Sequence, residues 1–566
     1  MLGLELIDWI VIVIYLLGIT FIGLWAVRKV RSSASYFIGD RKFGKIMMAF
    51  FMFGSGTHSD QAVSVSAKTY STGASGIWYQ WLWLFVTPFF WLIAPFFRRM
   101  RAVTTGDFFE VRYGRSVSGL YAAMGILPLT VALGVMLKGS GAMVEAVSDG
   151  AITSNFAIIA MTVIFLVYGI AGGLSAAIAT NFVQGLLTIL LSFLILPFAL
   201  NKVGGMSGLR ESISDPHMLS LVSPGEITLF YIIIIAFNAL VGWVTMPETM
   251  ANCAAGKTEM AGRAGVTVGI FGKRICTIAW MLTGLCAVVM YTQLADPDLA
   301  YGTMARDLLP DIAPGLIGLF IACMLASVMS TCDSLMVVAS ALFTKNLYKK
   351  FFVVGKDDKH YTLVGRIASA LVVLLGIFVA FNLESVVDGL EFYWMVSALM
   401  GIAFWVGLFW RRATVAAAWA ATLTSLGVFL FTSTDPLGIP WDFNARFADK
   451  LPAFMLWEDK LYLPWQMILY LVAGFVVMIV VSLFTKRVPK EYLDRFYTCL
   501  RTPIGPDEPE TEAFTLPAGV QPGPRNALIQ HPDFEIPKPT LIGIGGFLAA
   551  WVGVGLLIGT VYWIIQ

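Results

Sequence analysis

Long apolar segments recur along the whole chain and are separated by short polar connections. A helix that crosses a membrane needs about 20 mostly apolar residues, and on that criterion the pattern predicts about fourteen spans. The predicted spans lie near residues 8–27, 46–69, 75–97, 118–147, 154–170, 174–200, 227–250, 266–292, 314–344, 362–382, 386–410, 413–432, 463–485 and 540–564. The first is not expected to be a cleaved signal peptide, because its basic residues follow the apolar run. The pattern predicts an all-α integral membrane protein.

Composition agrees with lipid as the main solvent of this chain. Of the 566 residues, 58% are hydrophobic and 13% are charged, whereas soluble domains carry about 25% charged residues. The net charge of +2 is close to neutral, so no nucleic-acid partner is implied. The six cysteines lack CxxC pairing and the four histidines are scattered, which argues against a disulfide framework or a zinc site.

Basic residues cluster in alternate loops and orient the predicted spans. They follow the first, third and ninth spans as Arg28, Lys29, Arg31, Arg41, Lys42 and Lys45, then Arg98, Arg99, Arg101, Arg112 and Arg115, then Lys345, Lys349, Lys350, Lys356 and Lys359. The opposite loops are acidic or neutral, so the positive-inside rule places both termini outside. Segment 486–539 is rich in proline and acidic residues, and we expect a cytoplasmic linker without helical periodicity there.

Two predicted spans contain polar residues and helix breakers. In the second span, Gly54 and Gly56 precede a polar run that ends at Gln61; the seventh span contains Asn238, Gly242 and Pro247. Irregular backbone is tolerated in a membrane only where it lines a cavity. Two broken helices that open two successive sets of five spans are typical of an inverted-repeat transporter. Ordinary glycine and proline kinks are the alternative interpretation.

The ninth span carries a stripe of hydroxyl groups on one helical face. The stripe has the spacing i, i+3, i+4 and i+7 and consists of Ser327, Ser330, Thr331 and Ser334. Hydroxyl and freed carbonyl oxygens are ligands for sodium in such transporters. Asp333 lies at the edge of the stripe, and carboxylates within a membrane usually serve function. Close packing of helices through small residues is the alternative.

Further ionisable residues within predicted spans are Asp60, Lys138, Glu145, Lys273 and Arg274. Each is costly in lipid unless it is paired or faces water. Lys138 is flanked by small residues, and we interpret it as lining a pathway rather than forming a structural ion pair. For Lys273 and Arg274, extension of the side chains to the cytoplasmic surface is the rival interpretation.

Three segments resemble those of the sodium:solute symporter family. The family signature, usually YGGLSAVxWTDxxQ, is similar to YGIAGGLSAAIATNFVQGLL at 168–187; ASVMSTCDSLMVVASALFTKNLYKK resembles the eighth core helix, and TYSTG follows the first core helix. The resemblance covers about residues 5–430, while the linker and last span resemble the sodium/glucose cotransporter branch. It implies a LeuT-type five-plus-five inverted repeat that works by alternating access. We expect a first span and basic loop at 1–45, a ten-helix core at 46–410, accessory spans at 411–485, the linker at 486–539 and a last span at 540–566.

Carried over by position, the resemblance also implies a sodium site. Its ligands would be the backbone carbonyls of Gly54, Thr57 and Ser327 and the hydroxyls of Ser330 and Thr331. Asn181 replaces the aspartate of the family signature, which weakens the case for sodium. Asp333 lies where some members have a second sodium ligand, next to Ser334, and would restore the missing charge.

For the solute, the resemblance to sugar-transporting members implies a second set of residues. Gln61, Asn238 and Lys273 match sugar-binding residues in kind. Gln80 replaces a glutamate and Lys138 replaces a tyrosine, which makes the cavity more positive. A carboxylated solute would use that charge, so both a sugar and an organic acid stay open.

The chain is therefore expected to be a cation-coupled symporter, with sodium as the favoured ion and a small polar organic solute. It would lie in the cell membrane, the inner membrane of a bacterium, with lipid, sodium and solute as its partners and no cofactor. A proton-coupled or uncoupled transporter is the alternative, and a membrane nutrient sensor is less favoured. An enzyme is not expected, because HExxH, GxSxG and paired-carboxylate motifs are missing from the sequence.

The alternating basic loops predict which side of the membrane the linker occupies. In intact cells, a Thr515→Cys variant of a chain otherwise free of cysteine should react with a permeant thiol reagent but not with an impermeant one. Labelling of position 515 by the impermeant reagent would overturn the fourteen-span topology.

Overall fold

The computed structural model describes residues 4–27, 43–102, 104–434, 440–505, 508–509 and 511–566. The predicted basic loop at 28–42 lies outside these residues. Within them the regular structure is helical apart from one two-residue hairpin, in which β1 (Leu456–Trp457) pairs antiparallel with β2 (Lys460–Leu461). The all-α prediction is confirmed.

The helices follow one another closely along the chain. The N-terminal part contains α1 (Leu6–Val27), α2 (Lys45–Gly56), α3 (Ser59–Thr72), α4 (Trp78–Trp81), α5 (Thr87–Arg99), α6 (Thr105–Tyr113) and α7 (Arg115–Val147). The middle part contains α8 (Ser154–Leu194), α9 (Leu196–Lys202), α10 (Gly205–Ser212), α11 (Leu229–Trp243), α12 (Pro247–Ala254), α13 (Glu259–Met290) and α14 (Ala300–Leu308).

The C-terminal part contains α15 (Leu316–Ala341), α16 (Asp358–Asn382), α17 (Val386–Ala398), α18 (Gly401–Phe409), α19 (Val415–Phe431), α20 (Phe443–Phe447), α21 (Leu463–Phe484), α22 (Lys490–Arg501) and α23 (Leu541–Ile565). A π-helical segment, Leu342–Phe352, extends α15. Short 3₁₀ turns occupy Gly73–Ile77, Leu82–Leu84, Pro216–Leu219, Pro297–Leu299, Ala448–Lys450 and Ala453–Met455.

Many of these helices are long and apolar enough to cross a membrane. Among the described residues, nine helical segments meet that description by length and composition, and ten do if α11 and α12 form one bent span. Shorter apolar helices cover further predicted spans, at Leu6–Ile22, Lys45–Gly56, Ser154–Leu166 and Val415–Phe431. The exact number of fourteen spans therefore stays a prediction.

One predicted boundary between spans is wrong. The spans expected at 154–170 and 174–200 form the single helix α8, which continues to Leu194. The first proline after position 154 is Pro197, so a strong helix breaker is missing where the boundary was expected. The side chains of 167–179, which include much of the family-like motif, lie outside the described residues.

Both predicted broken helices are present. Thr57 and His58 are extended, with φ of −124° and −143°, and they separate α2 from α3. The second break separates α11 from α12, which are bent by 60° just before Pro247. Proline suits the first turn of a helix because its missing N–H has no partner to lose there. Each break leaves backbone groups without a helical partner in the middle of the bundle.

Glycines let the neighbouring helices approach the first break closely. A Cβ atom on Gly265 or Gly269 of α13 would lie 2.6 Å or 2.9 Å from the Cβ atoms of Met48 and Met52 on α2. On α7, a Cβ atom at Gly139 would lie 2.7 Å from that of Asp60 on α3. Small residues at such crossings bring backbones together, as is usual where helices pack in membranes. The break is thus enclosed on several sides.

The 486–539 segment is more ordered than its composition predicts. It contains α22, whose apolar residues Leu493, Phe496, Tyr497 and Leu500 are buried at helical spacing. The expectation that the segment lacks helical periodicity is therefore wrong for 490–501. An amphipathic helix of three turns is easily masked by the proline-rich and acidic residues that follow it.

Ion pairs hold this segment against the loops between spans. Arg101 pairs with Glu508 at 2.5 Å, and Arg411 pairs with Glu535 at 2.6 Å. Burial opposes ionisation of Glu508, but the hydrogen bonds from the Arg101 guanidinium and the Gly505 N–H hold its pKa below its usual range. The linker is thus a docked element of the fold.

Candidate functional site

A cavity lies beside the first break and is lined in part by polar side chains of the bundle interior. It is about 790 Å³ in volume, counting the space at its mouth. Residues of α2, α3, α7, α11, α12, α13, α15 and α17 contribute to its wall. The polar and aromatic lining consists of Ser55, His58, Asp60, Gln61, Trp83, Trp243, Glu248, Thr249, Asn252, Lys273, Arg274, Thr331 and Tyr393.

The hydroxyl stripe of α15 meets the end of α2 next to this cavity. Ser330 Oγ lies 2.8 Å from the Gly54 carbonyl oxygen and 2.9 Å from that of Ser327. Thr331 Oγ1 lies 3.3 Å from the same Gly54 oxygen, and Thr331 also lines the cavity. Thr57 follows at the break, with a buried hydroxyl that has no hydrogen-bond partner among the described residues. The structure therefore brings together four of the oxygens that the sequence proposed as cation ligands, those of Gly54, Ser327, Ser330 and Thr331.

The other three candidate cation ligands are Asn181, Ser334 and Asp333. Asn181 packs its backbone against Gly54, where a Cβ atom would lie 3.0 Å from the Asn181 oxygen. The Asn181 side chain is fully buried, and within the described part of the chain its amide has no hydrogen-bond partner. Ser334 donates to the Ser330 carbonyl at 3.3 Å. Asp333 is buried and interacts electrostatically with Tyr15 of α1, on the side of α15 away from the cavity lining.

The donor set around Gly54 suits a hard monovalent cation. It consists of uncharged hydroxyl and carbonyl oxygens, of the kind that meets sodium where helices are broken. Among the described residues, no group of three or more His, Cys, Asp or Glu side chains is arranged to hold a metal ion. A transition-metal centre is thus not supported in that part of the chain.

A short polar chain crosses the first break, and the sequence did not reveal all of it. The His58 ring contacts the Asp60 carboxylate through Nδ1, and its Nε2 lies 2.8 Å from Gln61 Nε2. Gln61 Nε2 also donates to the Gly56 carbonyl at 3.2 Å, so this atom is the amide nitrogen and His58 Nε2 accepts. The Nδ1–H then donates to Asp60. His58 was missed because scattered histidines carry little signal without a known partner.

Lys273 and Arg274 lie in the wall of the cavity rather than at the membrane surface. Lys273 is 3% exposed, and its Nζ lies 5.1 Å from the centre of the Trp83 ring and 5.9 Å from that of Trp243. Arg274 donates a hydrogen bond to the backbone carbonyl of Gln80, and its guanidinium group lies over the Trp83 ring. Extension of these side chains to the surface is therefore not observed. The cations are held by aromatic faces and backbone oxygens.

Glu248 is a cavity residue that the sequence analysis did not single out. It occupies the first turn of α12, directly after Pro247 at the second break. The side chain is 7% exposed, and its Oε2 has no hydrogen-bond partner among the described residues. The signal that would have found it is its position next to the proline of a broken span, where a carboxylate is costly unless it has a role.

Three of the five residues proposed for solute binding do not line the cavity. Gln80 is fully buried, and its side-chain amide has no partner within the described residues. Asn238 donates to the Trp394 carbonyl at 3.0 Å and accepts from the Tyr470 hydroxyl at 2.5 Å, so its amide serves packing between helices. Lys138 is half-buried near Asp298. Only Gln61 and Lys273 of that proposed set face the cavity.

A structural ion pair was the alternative for Lys138, and Glu145 on the same helix does not provide it. Glu145 Oε2 accepts from the backbone N–H of Ser154 at 2.9 Å, at the start of α8. The two residues are seven positions apart on one helix, which separates them by about 10 Å along its axis. The Lys138 charge acts on Asp298, in the connection after α13, and lowers the pKa of that carboxyl group.

Comparison with known proteins assigns the chain to a family. A family model, "Sodium:solute symporter family", matches residues 36–425. The chain belongs to this family. Its relatives include the sodium/glucose cotransporter of Vibrio parahaemolyticus, 24% identical over 78% of this chain and 87% of the relative. The osmoregulated proline transporter OpuE of Bacillus subtilis is 24% identical over 84% of this chain and 94% of the relative.

Solved structures place this symporter in the LeuT-like group of folds. A sodium-coupled sialic acid symporter superposes with a TM-score of 0.72 and 17% identity, covering 86% of this chain and 99% of that one. The nucleobase-cation symporter Mhp1 superposes with a TM-score of 0.51 and 13% identity, over 81% of this chain and 97% of that one. The family and the fold identify a multi-pass membrane transporter with sodium as the family's coupling ion, not an enzyme.

The position of Lys138 predicts a structural role for it. Burial raises the pKa of Asp298 to about 6, while the hydrogen bond from the Val386 N–H and the charge of Lys138 act in the opposite direction. A carboxyl group whose pKa is higher in the folded state favours folding as the pH falls through that value. Lys138→Gln removes the compensating charge, so it should lower the melting temperature more at mildly alkaline pH than at mildly acid pH.

Thermal unfolding on both sides of pH ~6 measures this effect. Lys202→Gln is the matched control, because Lys202 is exposed at the end of α9. An unchanged melting temperature combined with a selective loss of acidic solutes would restore Lys138 to the solute site.

Proposed function

We propose that this symporter couples the entry of sodium to the uptake of a small polar organic solute across the cell membrane, by alternating access. The observation that carries the proposal is the double position of Thr331, which lines the cavity and points its hydroxyl at the Gly54 carbonyl. The proposed ion site and solute site thus share one wall. Ligands that share a wall influence each other's binding without a long-range pathway.

The break between α2 and α3 supports a physical explanation of how sodium binding is coupled to solute transport. A sodium ion between Gly54 and Ser330 would join α2 to α15, which belong to the two successive sets of five spans. Ion binding then favours whichever arrangement of these sets brings the oxygens together. A ligand shifts a conformational equilibrium only through its different affinities for the two states. The sodium gradient would act on the solute through that shared arrangement.

The cavity supports a polar solute small enough to fit between the two breaks. Lys273 provides a hydrogen-bond donor, Gln61 Oε1 provides an acceptor that has no partner among the described residues, and Trp83 and Trp243 provide apolar faces. Sugars and carboxylated solutes both satisfy these general requirements. If the solute is carboxylated, its carboxylate would bind Lys273, because Lys138 does not line the cavity.

A proton-coupled symporter is the second candidate. His58 and Asp60 are hydrogen-bonded in the cavity wall, where a proton would reach both the solute and the first break. Asn181 also replaces the aspartate of the family signature, which removes a charge near the proposed sodium site. Uptake by purified protein in liposomes separates the candidates, because a sodium gradient drives one and a pH gradient drives the other.

The sodium assignment predicts the effect of removing two hydroxyl groups. A Ser330→Ala/Thr331→Ala double variant loses two oxygens that would contact the ion. A hydrogen bond to a charged group contributes about 1.5–3 kcal/mol, and each 1.4 kcal/mol is about tenfold in affinity. The sodium concentration for half-maximal uptake should rise by at least roughly tenfold.

Ser340→Ala is the matched control, because Ser340 is a buried serine of the same helix that donates to the Val337 carbonyl. Wild-type sodium dependence in the double variant would show that the site is assigned wrongly. If wild-type uptake ignores sodium, the Asn181→Asp variant tests whether the missing carboxylate is the cause, since it should restore the dependence.

A further inference from the structure

We infer that the transported solute is a zwitterion, with its anionic group at Lys273 and its cationic group at Glu248. The inference rests on the proposed function, because it assigns the solute class to the same cavity. It depends on a buried carboxyl group, that of Glu248, and a buried amine, that of Lys273, which face one cavity without pairing with each other.

The Glu248 end of the cavity needs a positively charged or hydrogen-bond-donating group. Its Oε2 is buried and has no hydrogen-bond partner in the described part of the chain. A buried acceptor left unsatisfied is destabilising, and more so when it is charged. An ammonium group supplies both charge and donors. The carboxylate belongs to α12, so a solute that contacts it also contacts the second broken helix.

The Lys273 end needs a negatively charged group. Its ammonium group lies near the faces of Trp83 and Trp243, which stabilise a cation but accept no conventional hydrogen bond. Asp60 interacts with Lys273 electrostatically, but its carboxylate is held by His58. Across the described residues, no ion pair joins Lys273 to a carboxylate. A solute carboxylate would supply the missing acceptor.

The other charged side chains of the cavity have hydrogen-bond partners within the protein, although Arg274 Nε has none among the described residues. Arg274 donates to the Gln80 carbonyl, and Asp60 accepts from His58. Lys273 and Glu248 make no hydrogen bond to another residue in the described part of the chain, so we assign the charges of the solute to them. A neutral sugar leaves both charges without an ionic partner, and a simple anion satisfies Lys273 but brings a second negative charge towards Glu248. A zwitterion satisfies both ends at once, with its apolar body against the aromatic rings.

The first test compares ligands of different charge. Proline serves as a zwitterion with N–H donors and glycine betaine as one without them; cyclopentanecarboxylate is the anion and pyrrolidine the cation with the same five-membered ring, and galactose is the neutral solute. Binding is measured on the purified full-length protein in nanodiscs, with sodium present, by calorimetry and thermal shift. At least one zwitterion should bind, and each singly charged analogue should bind at least roughly thirtyfold more weakly. Tighter binding of galactose than of either zwitterion, or binding of neither zwitterion, overturns the inference.

The second test removes one charge at a time. Glu248→Gln should weaken the zwitterion by at least roughly thirtyfold and leave the anion unaffected or tighter. Lys273→Gln should weaken the zwitterion as much and leave the cation unaffected. The same changes at exposed positions, Glu211→Gln and Lys202→Gln, are the controls. Equal weakening of all ligands by either cavity variant contradicts the assignment, and if a variant fails to fold the ligand comparison on the wild-type protein still decides.

Uptake of the same ligands into liposomes, measured with and without a sodium gradient, separates this inference from the proposed function. Sodium-driven uptake of galactose alone would leave the symport proposal intact and reject the zwitterion. Uptake of a zwitterion that is indifferent to sodium would support the solute class and reject sodium coupling.

Discussion

A backbone carbonyl that loses its helical partner inside a membrane must be satisfied by something other than water, and the Gly54 carbonyl is in that position. Helix α2 ends at Gly56, and the hydroxyl groups of Ser330 and Thr331 on α15 approach the Gly54 oxygen. That requirement ties α2 to α15 and creates the cluster of oxygens where we place the cation. The cavity, the polar chain of His58 and the buried charges are all arranged around this break.

Close backbone approach makes the arrangement possible. The glycines of α13 and α7 that face the first break leave no room for a Cβ atom, so the neighbouring helices enclose α2 and α3 tightly. Side chains that would be too costly in lipid can then face a small shared cavity. The second break contributes Glu248 to the same cavity. The two breaks, which lie far apart in the sequence, therefore contribute to one cavity.

The spacing of apolar and polar residues, together with composition, was sufficient to predict the helical class, both broken helices and the hydroxyl stripe. Each of these features depends on local sequence. Gly54 and Pro247 mark the breaks directly, and the spacing of Ser327, Ser330 and Thr331 defines a face. Which residues reach the cavity depends on how helices rotate against one another, and no local pattern encodes that rotation. Lys138 was therefore assigned to the solute while it lies near Asp298, and Glu248 and His58 went unrecognised. The α8 boundary and the amphipathic α22 were misjudged for a related reason, since average composition was a poor guide to local helix signals.

The central claim is that a cation bridges the first break and α15, and a structure with a heavy monovalent ion tests it most directly. Crystals grown with thallium(I) in place of sodium would reveal the ion by its anomalous scattering. The account predicts a peak in contact with the Gly54 carbonyl oxygen and the hydroxyls of Ser330 and Thr331, which sodium displaces on soaking. A displaceable peak at any other set of oxygens, with none at Gly54, would contradict it.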